Sequence, residues 1–393
     1  MIHLTGSEEI DQLLIQMLRG QKFPKSAEFY HQDTWQQLYK RAERHGLSSL
    51  IYWSLLNDVS SVPEQIFLKF KQSYLTTLGR NRIFLSELER VVSLLGSQSI
   101  QIVLFKGAVF VHSLYEDIGL RPMSDLDILV HKQDIPKAVT MLKEKGYEEP
   151  TLLQTEMMKK DVTHDVHLRQ SEPPHVDIEV HWLLGGGEKY RQKVDMEWFW
   201  NRIVPLEKWG QNVFTLSPTA HLLYLCGHLG YQHGLASIGL LWLVDVARFL
   251  NQYSTEIRWD EFVEGAKHLS WSAAAYYTFG QVKRAFDCAP PDEVLERLSA
   301  QMSREEEDHV RSMSVISPTR VALALKQFEQ LQPSARLRTV ISRAFPSLGF
   351  MRERYGFRTN WQAVIGYPVR WVDLTRMFLV YVWSRIKGKR KKL

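Results

Sequence analysis

The sequence predicts an α+β fold, a small mixed β-sheet embedded in large helical flanking regions. Three observations predict it. Apolar residues recur at helical spacing through residues 8–96. The pattern then changes to short apolar runs rich in β-branched residues, at Ile100–Phe105, Asp125–Val130, Val176–Trp182 and Val213–Leu216. From Ser217 onward the helical period returns. The expected organisation is an N-terminal helical region (1–96), an α/β core (97–216), a C-terminal helical domain (217–342) and a basic C-terminal segment (343–393).

In the first region, Ser26 is a candidate N-cap, Pro63 stands where a helix begins and Gly96 marks a helix end. Ile100–Phe105 reads as a strand. Lys106-Gly107 follows it, and Ala108–Glu116 reads as a helix. The turn-rich Asp117–Ser124 leads into the second strand, Asp125–Val130. Ile135–Lys145 is an amphipathic helix closed by Gly146. Residues 151–175, with His164, His167, His175 and Pro173-Pro174, read as polar and irregular. Val176–Trp182 is the third strand, and Gly185–Lys189 breaks it. Val213–Leu216 is the fourth. Ser217-Pro218 pairs an N-cap with proline at the first helical position. Leu241–Leu250 is a second apolar helix, and residues 259–330 hold three or four more.

Composition narrows the class. Of 393 residues, 45% are hydrophobic and 24% charged, which excludes a largely disordered or collagenous chain. Two cysteines, Cys226 and Cys288, cannot build a disulfide framework and read as buried thiols in a reducing compartment. The longest apolar runs, Leu235–Val244 and Met377–Trp383, fall short of the roughly 20 residues that span a bilayer. The opening MIHLTGSEEIDQLL lacks a basic segment followed by an apolar one, so a cytoplasmic protein is expected. The net charge of +5 is uneven. From Arg343 to the end, twelve Lys or Arg face two acids, so that segment is +10 and residues 1–342 sum to −5. The tail, WVDLTRMFLVYVWSRI followed by KGKRKKL, has three readings: it lies on an anionic membrane surface, it packs on the protein, or it contacts nucleic acid.

Chemistry concentrates on two strands. Asp125 and Asp127 alternate with Leu126 and share one face of the second strand. Two carboxylates so close repel unless a cation lies between them, and Mg²⁺ takes carboxylate and phosphate oxygens. On the third strand, Asp177, Glu179 and His181 share a face, opposite Val176, Ile178, Val180 and Trp182. If the two strands are neighbours, a third carboxylate joins the first two, a set suited to two-metal phosphoryl or nucleotidyl transfer. Lys106-Gly107 opens a helix after the first strand, where glycine admits a phosphate close to the backbone. Lys106 and Arg121 are the candidate cations for a triphosphate. His181 is a candidate metal neighbour or acceptor-positioning group. His221, His228 and His233 lack the i, i+4 spacing of a helical zinc pair and read as structural. Asp245, in an apolar helix, reads as a buried, hydrogen-bonded acid.

In order, these pieces run strand, Lys-Gly, helix, Arg, Ser-Asp-Leu-Asp strand, helix, acidic strand. The sequence here resembles the nucleotidyltransferase superfamily that includes DNA polymerase beta. It is closer to the poorly characterised bacterial nucleotidyltransferase family proteins. The matching residues are Leu104-Phe105-Lys106-Gly107-Ala108, Leu114-Tyr115, Arg121-Pro122-Met123-Ser124-Asp125-Leu126-Asp127-Ile128-Leu129-Val130 and Glu179-Val180-His181-Trp182. Leu216-Ser217-Pro218, Cys226-Gly227-His228 and Trp242-Leu243-Val244-Asp245 look like the family's following helices. The resemblance spans roughly Ile100–Leu250. It implies a nucleotidyltransferase sheet topology, Mg²⁺ as cofactor and a nucleoside triphosphate such as ATP as substrate. It implies metal-binding, catalytic roles for Asp125, Asp127 and Glu179, with Asp177 a rival third carboxylate. Gly107 and Ser124 would lie at the phosphates, beside Lys106 and Arg121. The chain departs from the superfamily at Lys106-Gly107-Ala108, where Gly-Ser or Gly-Gly is usual.

The expected function is Mg²⁺-dependent transfer of a nucleoside monophosphate to a hydroxyl or phosphate of a small molecule, saccharide precursor or protein. One alternative is a toxin-type enzyme that modifies tRNA or another RNA. The other is a non-catalytic nucleotide-binding or membrane-docked assembly module.

Overall fold

The computed structural model describes residues 8–20, 32–56, 62–149, 164–185, 194–233, 235, 239–314, 340, 341, 343–346, 348–376 and 379. Among the described residues four helices come first: α1 (Glu8–Leu18), α2 (Gln32–His45), α3 (Ser48–Leu55) and the long α4 (Glu64–Gly96). Then come β1 (Ile102–Leu104), α5 (Gly107–Ser113), β2 (Leu126–Leu129), α6 (Ile135–Glu144), β3 (Tyr147–Glu148), β4 (Asp165–Gln170) and β5 (Asp177–His181). A short α7 (Met196–Trp200) precedes β6 (Ile203–Pro205) and β7 (Val213–Leu216). Helices follow: α8 (Pro218–Gly227), continued by a π-turn at His228–His233, α9 (Leu240–Gln252), α10 (Trp259–His268), α11 (Ser272–Phe286), α12 (Asp292–Gln301) and α13 (Arg304–Ser314). The C-terminal segment contributes α14 (Leu348–Tyr355) and α15 (Asn360–Ile365).

The strands make one mixed sheet in the order β3-β4-β5-β2-β1-β7-β6. β2 runs parallel to β5 and antiparallel to β1, and β1 runs parallel to β7. The α+β fold expected from the sequence is therefore the fold observed. The strands are shorter than their apolar runs, although Phe105 and Val130 beyond their ends are buried and the Val130 amide still donates to the His181 carbonyl at 3.0 Å. One reading needs correction. Part of the stretch taken as irregular, 151–175, is strand β4, paired antiparallel with β5. Its polar side chains hid a period of two, in which Leu168 is fully buried and Val166 half-buried. Residues 150–163, the candidate cap Ser26 and the terminal KGKRKKL lie outside the described residues.

Each face of the sheet carries its own core. Ile102, Leu104, Leu126, Ile128, Ile178 and Val180 pack against Phe84–Leu95 of α4 and Leu142 of α6. Val103, Phe105 and Leu129 face the other way, into the cluster built from the N-terminal helices and α8–α13. α4 serves both, with Ile66 and Phe70 in one core and Phe84 through Leu95 in the other. A helix of this length runs about 50 Å, enough to span both. Ser217 caps α8 as expected, its hydroxyl accepting the Ala220 amide at 3.4 Å. Cys226 is buried, but Cys288 is only half-buried, and both are free thiols. Among the described residues, no helix is long and apolar enough to cross a membrane.

Candidate active site

The alternation in β2 and β5 sets the site. Leu126 and Ile128 of β2, with Ile178 and Val180 of β5, are fully buried on the α4 side. The residues between them must point to the opposite face. Parallel pairing sets Asp127 beside Glu179 and Leu129 beside His181. Antiparallel pairing then sets Asp165 opposite His181, His167 opposite Glu179 and Arg169 opposite Asp177. One face thus carries polar rows running from β2 across β5 to β4.

Asp127 is the centre of the cluster and is 5% exposed. Its Oδ1 lies 2.9 Å from Lys106 Nζ and 2.9 Å from His181 Nε2. His181 Nε2 is also 3.3 Å from Glu179 Oε2. Burial disfavours charge on Asp127, but Lys106 and His181 outweigh it and hold the carboxyl well below the usual range. Burial also opposes charge on His181. Hydrogen bonds to Asp127 and Glu179 reverse that and raise its pKa to about 9, so it is an imidazolium at neutral pH. Lys106 is likewise driven further up by Asp127, against its burial. Asp125, just before β2, responds oppositely. Burial first, then repulsion from Asp127 and Glu179, raise it to about 6.

Three further features position Lys106. Its backbone has φ 53° and ψ −127°, a conformation that favours glycine. A lysine thus occupies a backbone conformation in which glycine would be at ease, directly before Gly107. The Lys106 amide donates to His221 Nε2 at 3.4 Å. His221 is stacked on Phe110 and kept neutral by burial, its pKa lowered to about 3. The Lys106 ammonium lies 5.4 Å from the Phe105 ring centre and 5.8 Å from that of Tyr224.

Two sequence readings change. Arg121, expected to meet a triphosphate, is buried and bound to Asp245. Its Nη2 is 2.9 Å from Oδ2 and its Nε 3.1 Å from Oδ1. Tyr115 donates to the same carboxylate at 2.6 Å. The charge of Arg121 is neutralised inside the protein and faces no solvent. Asp245 is the buried, hydrogen-bonded acid the sequence suggested. Asp177, the rival third carboxylate, is gripped by Arg169 through two bonds of 2.8 Å and by His167 at 2.8 Å. It lies one row away from Asp127, whereas Glu179 lies beside it.

Gly107 opens α5 under Arg121. A Cβ there would stand 2.9 Å from Arg121 Nη1 and 3.2 Å from Met123 Cγ, so a larger residue would have to shift the Arg121 and Met123 side chains. Ser124 is exposed, and its side chain hydrogen-bonds Asp125. Sequence reasoning passed over Asn81 of α4. It is fully buried, donates to the Arg121 carbonyl at 2.7 Å and accepts the Met123 amide at 3.2 Å, which fixes the loop leading into Asp125. A lone asparagine in a long helix carries no readable signal for this.

Asp127, Glu179 and His181 each offer one ligand atom, and these atoms lie within 4.8 Å of one another. Carboxylate oxygens suit Mg²⁺ or Mn²⁺. Asp125 is raised first by burial and then by repulsion from Asp127 and Glu179, a repulsion that a nearby cation would lessen. The carboxylates of this group, Asp127 and Glu179, are of the chemistry that suits such an ion, and Asp125 stands two residues before Asp127. His164, Asp165 and His181 form a second such group.

Comparison with known proteins agrees with this geometry. A family model described as "Uncharacterised nucleotidyltransferase" matches residues 31–305, more than half of the chain and all of the sheet. No curated protein and no solved structure matches. The chain belongs to this family of uncharacterised nucleotidyltransferases, enzymes that transfer a nucleoside monophosphate from a nucleotide substrate.

Proposed function

We propose that the protein transfers a nucleoside monophosphate from a Mg²⁺-bound nucleoside triphosphate to a hydroxyl or phosphate acceptor. The observation that carries this reading is the pairing of Asp127 with Glu179 on adjacent parallel strands, with Asp125 two residues before Asp127. Asp125, Asp127 and Glu179 would hold the metal. When bound, Mg²⁺ would neutralise phosphate charge and steady the leaving pyrophosphate.

The protein's own residues supply the rest. Lys106 balances Asp127 before substrate arrives and, once displaced, is placed to pair with a phosphate oxygen. Glu179 is 30% exposed at its side chain, so it can reach an acceptor and take its proton. The acceptor oxygen bonds to the α-phosphorus, the bond to pyrophosphate breaks, and the proton goes to the carboxylate. His181, charged and buried, fixes the orientation of Asp127 and Glu179. Arg121 supports the loop from within and stays out of the triphosphate site.

The test is calorimetric titration of ATP, GTP, CTP and UTP with Mg²⁺ against wild type and Asp125→Asn/Asp127→Asn. Binding by wild type alone is expected. Equal binding by both would overturn the site. A second reading, a nucleotide-binding module without turnover, is favoured by one observation: Lys106 and His181 both bond Asp127 Oδ1, so the protein's own cations offset the carboxylate that transfer would use. Tight binding without label transfer from α-labelled triphosphate, to small molecules, proteins or RNA, would select it.

A further inference from the structure

We propose that the C-terminal helical segment docks on an anionic lipid bilayer. The segment lies beyond residue 305, outside the part matched to the family, so it is separate from the site already described.

The outer side of the segment is apolar at helical spacing. Trp361 is 71% exposed, Ile365 62%, Val372 69% and Leu379 61%. Pro368 and Val369 are exposed between them. Trp361 and Ile365, four apart, share one face of α15; after the turn at Gly366, Val372 lies in the helical residues 367–376, and Leu379 lies seven positions further on. A stripe of this length is unusual on a free surface.

The inner side is built and packed, so the outward stripe is a designed face rather than a frayed end. Ala363 and Met351 are fully buried. Phe345 and Trp371 meet edge-on but are themselves 52% and 43% exposed, and Trp371 Nε1 donates to the Ala344 carbonyl at 3.0 Å. The Tyr355 hydroxyl donates to Asp373 at 3.0 Å. Thr359 and Gln362 form a reciprocal capping box at the start of α15.

Charge selects the partner. Arg352, Arg354, Arg358 and Arg376 of the same segment are exposed, Arg354 within 3.7 Å of Asp373, and the chain from Arg343 onward is +10. Nucleic acid would satisfy the cations but leave the stripe in water. A neutral apolar protein groove would cover the stripe but leave the cations unmatched. The headgroup layer of an anionic bilayer meets both, with tryptophan at the boundary and arginine among the headgroups.

The test is co-sedimentation of the full chain with vesicles of phosphatidylcholine alone, and of phosphatidylcholine with roughly a third phosphatidylglycerol. Wild type should partition onto the anionic vesicles roughly tenfold more strongly than onto the neutral ones, with loss in high salt. A triple variant, Trp361→Ser, Ile365→Ser and Val372→Ser, should lose roughly tenfold of that binding. It should keep wild-type circular dichroism and nucleotide affinity, because these positions are already exposed. No vesicle binding by wild type, or equal binding by the variant, overturns the proposal. So does a wild-type dimer by light scattering that the variant abolishes without vesicle binding, which would assign the stripe to a second copy. Binding to RNA without binding to vesicles would assign the segment to nucleic acid instead.

Discussion

Lys106 and His181 converge on a single atom, Asp127 Oδ1, each at 2.9 Å. Two cations from different elements, one on the turn after β1 and one at the end of β5, thus balance a carboxylate that is almost wholly buried. The arrangement lets three acids share one small region before any metal arrives. It also means that a divalent cation entering the site competes with both.

Asp127→Asn is expected to lower transfer by roughly 10²-fold or more, because it removes charge from the central ligand. The loss should appear in label-transfer assays at saturating triphosphate. Far-UV circular dichroism should stay native. Full retained activity would refute the assignment.

Lys106→Met keeps the stem and removes the competing cation. Titration with Mn²⁺ is expected to show tighter metal binding than wild type. Triphosphate affinity, measured at saturating metal, should fall roughly tenfold for the lost charge-assisted contact. Unchanged metal affinity would show that Lys106 does not compete for Asp127.

Arg121→Met should act on stability, not on nucleotide contact. Breaking a buried pair leaves Asp245 and the Tyr115 hydroxyl without their cation, at a cost of about 3 kcal/mol. Chemical denaturation should show this shift. Nucleotide affinity of the folded fraction should match wild type, and a selective loss of triphosphate affinity with unchanged stability would restore the sequence-based role for Arg121.

Asp11 supplies a pH test far from the site. It is 1% exposed and takes two bonds of 2.6 Å from Arg41, with His45 Nε2 at 3.6 Å. Burial alone would raise its pKa, but the Arg41 bonds, with His45 close by, prevail and lower it to about 2. Its folded pKa therefore lies below the unfolded value of about 3.9. The stabilisation is fully present above that value and is lost as pH falls from about 4 toward 2. Denaturation midpoints of wild type should drop through this window. Asp11→Asn should be less stable at neutral pH and show a flatter acid limb there.

By itself, the sequence determined the class of fold, the strands that carry the chemistry and the family. Period two in Leu126-Asp127-Ile128 and Ile178-Glu179-Val180 is a local property, because successive side chains on a strand must point to opposite faces. It announced one buried face and one acidic face without knowledge of neighbours. What a charged side chain meets is not local. Arg121 and Asp245 are far apart in the chain, and nothing in either segment says that they pair. Lys106 carried a cation into the site, but its partner depended on the order β5-β2-β1. Glu179 and Asp177 share a face in sequence, and their different surroundings turned on register. Parallel pairing set Glu179 beside Asp127, and β4 brought Arg169 and His167 to Asp177. Strand β4 itself stayed hidden because its outward residues are polar and only Leu168 is fully buried. Pairing, register and ion partners arise from contacts between segments remote in sequence, so only the tertiary structure decided them.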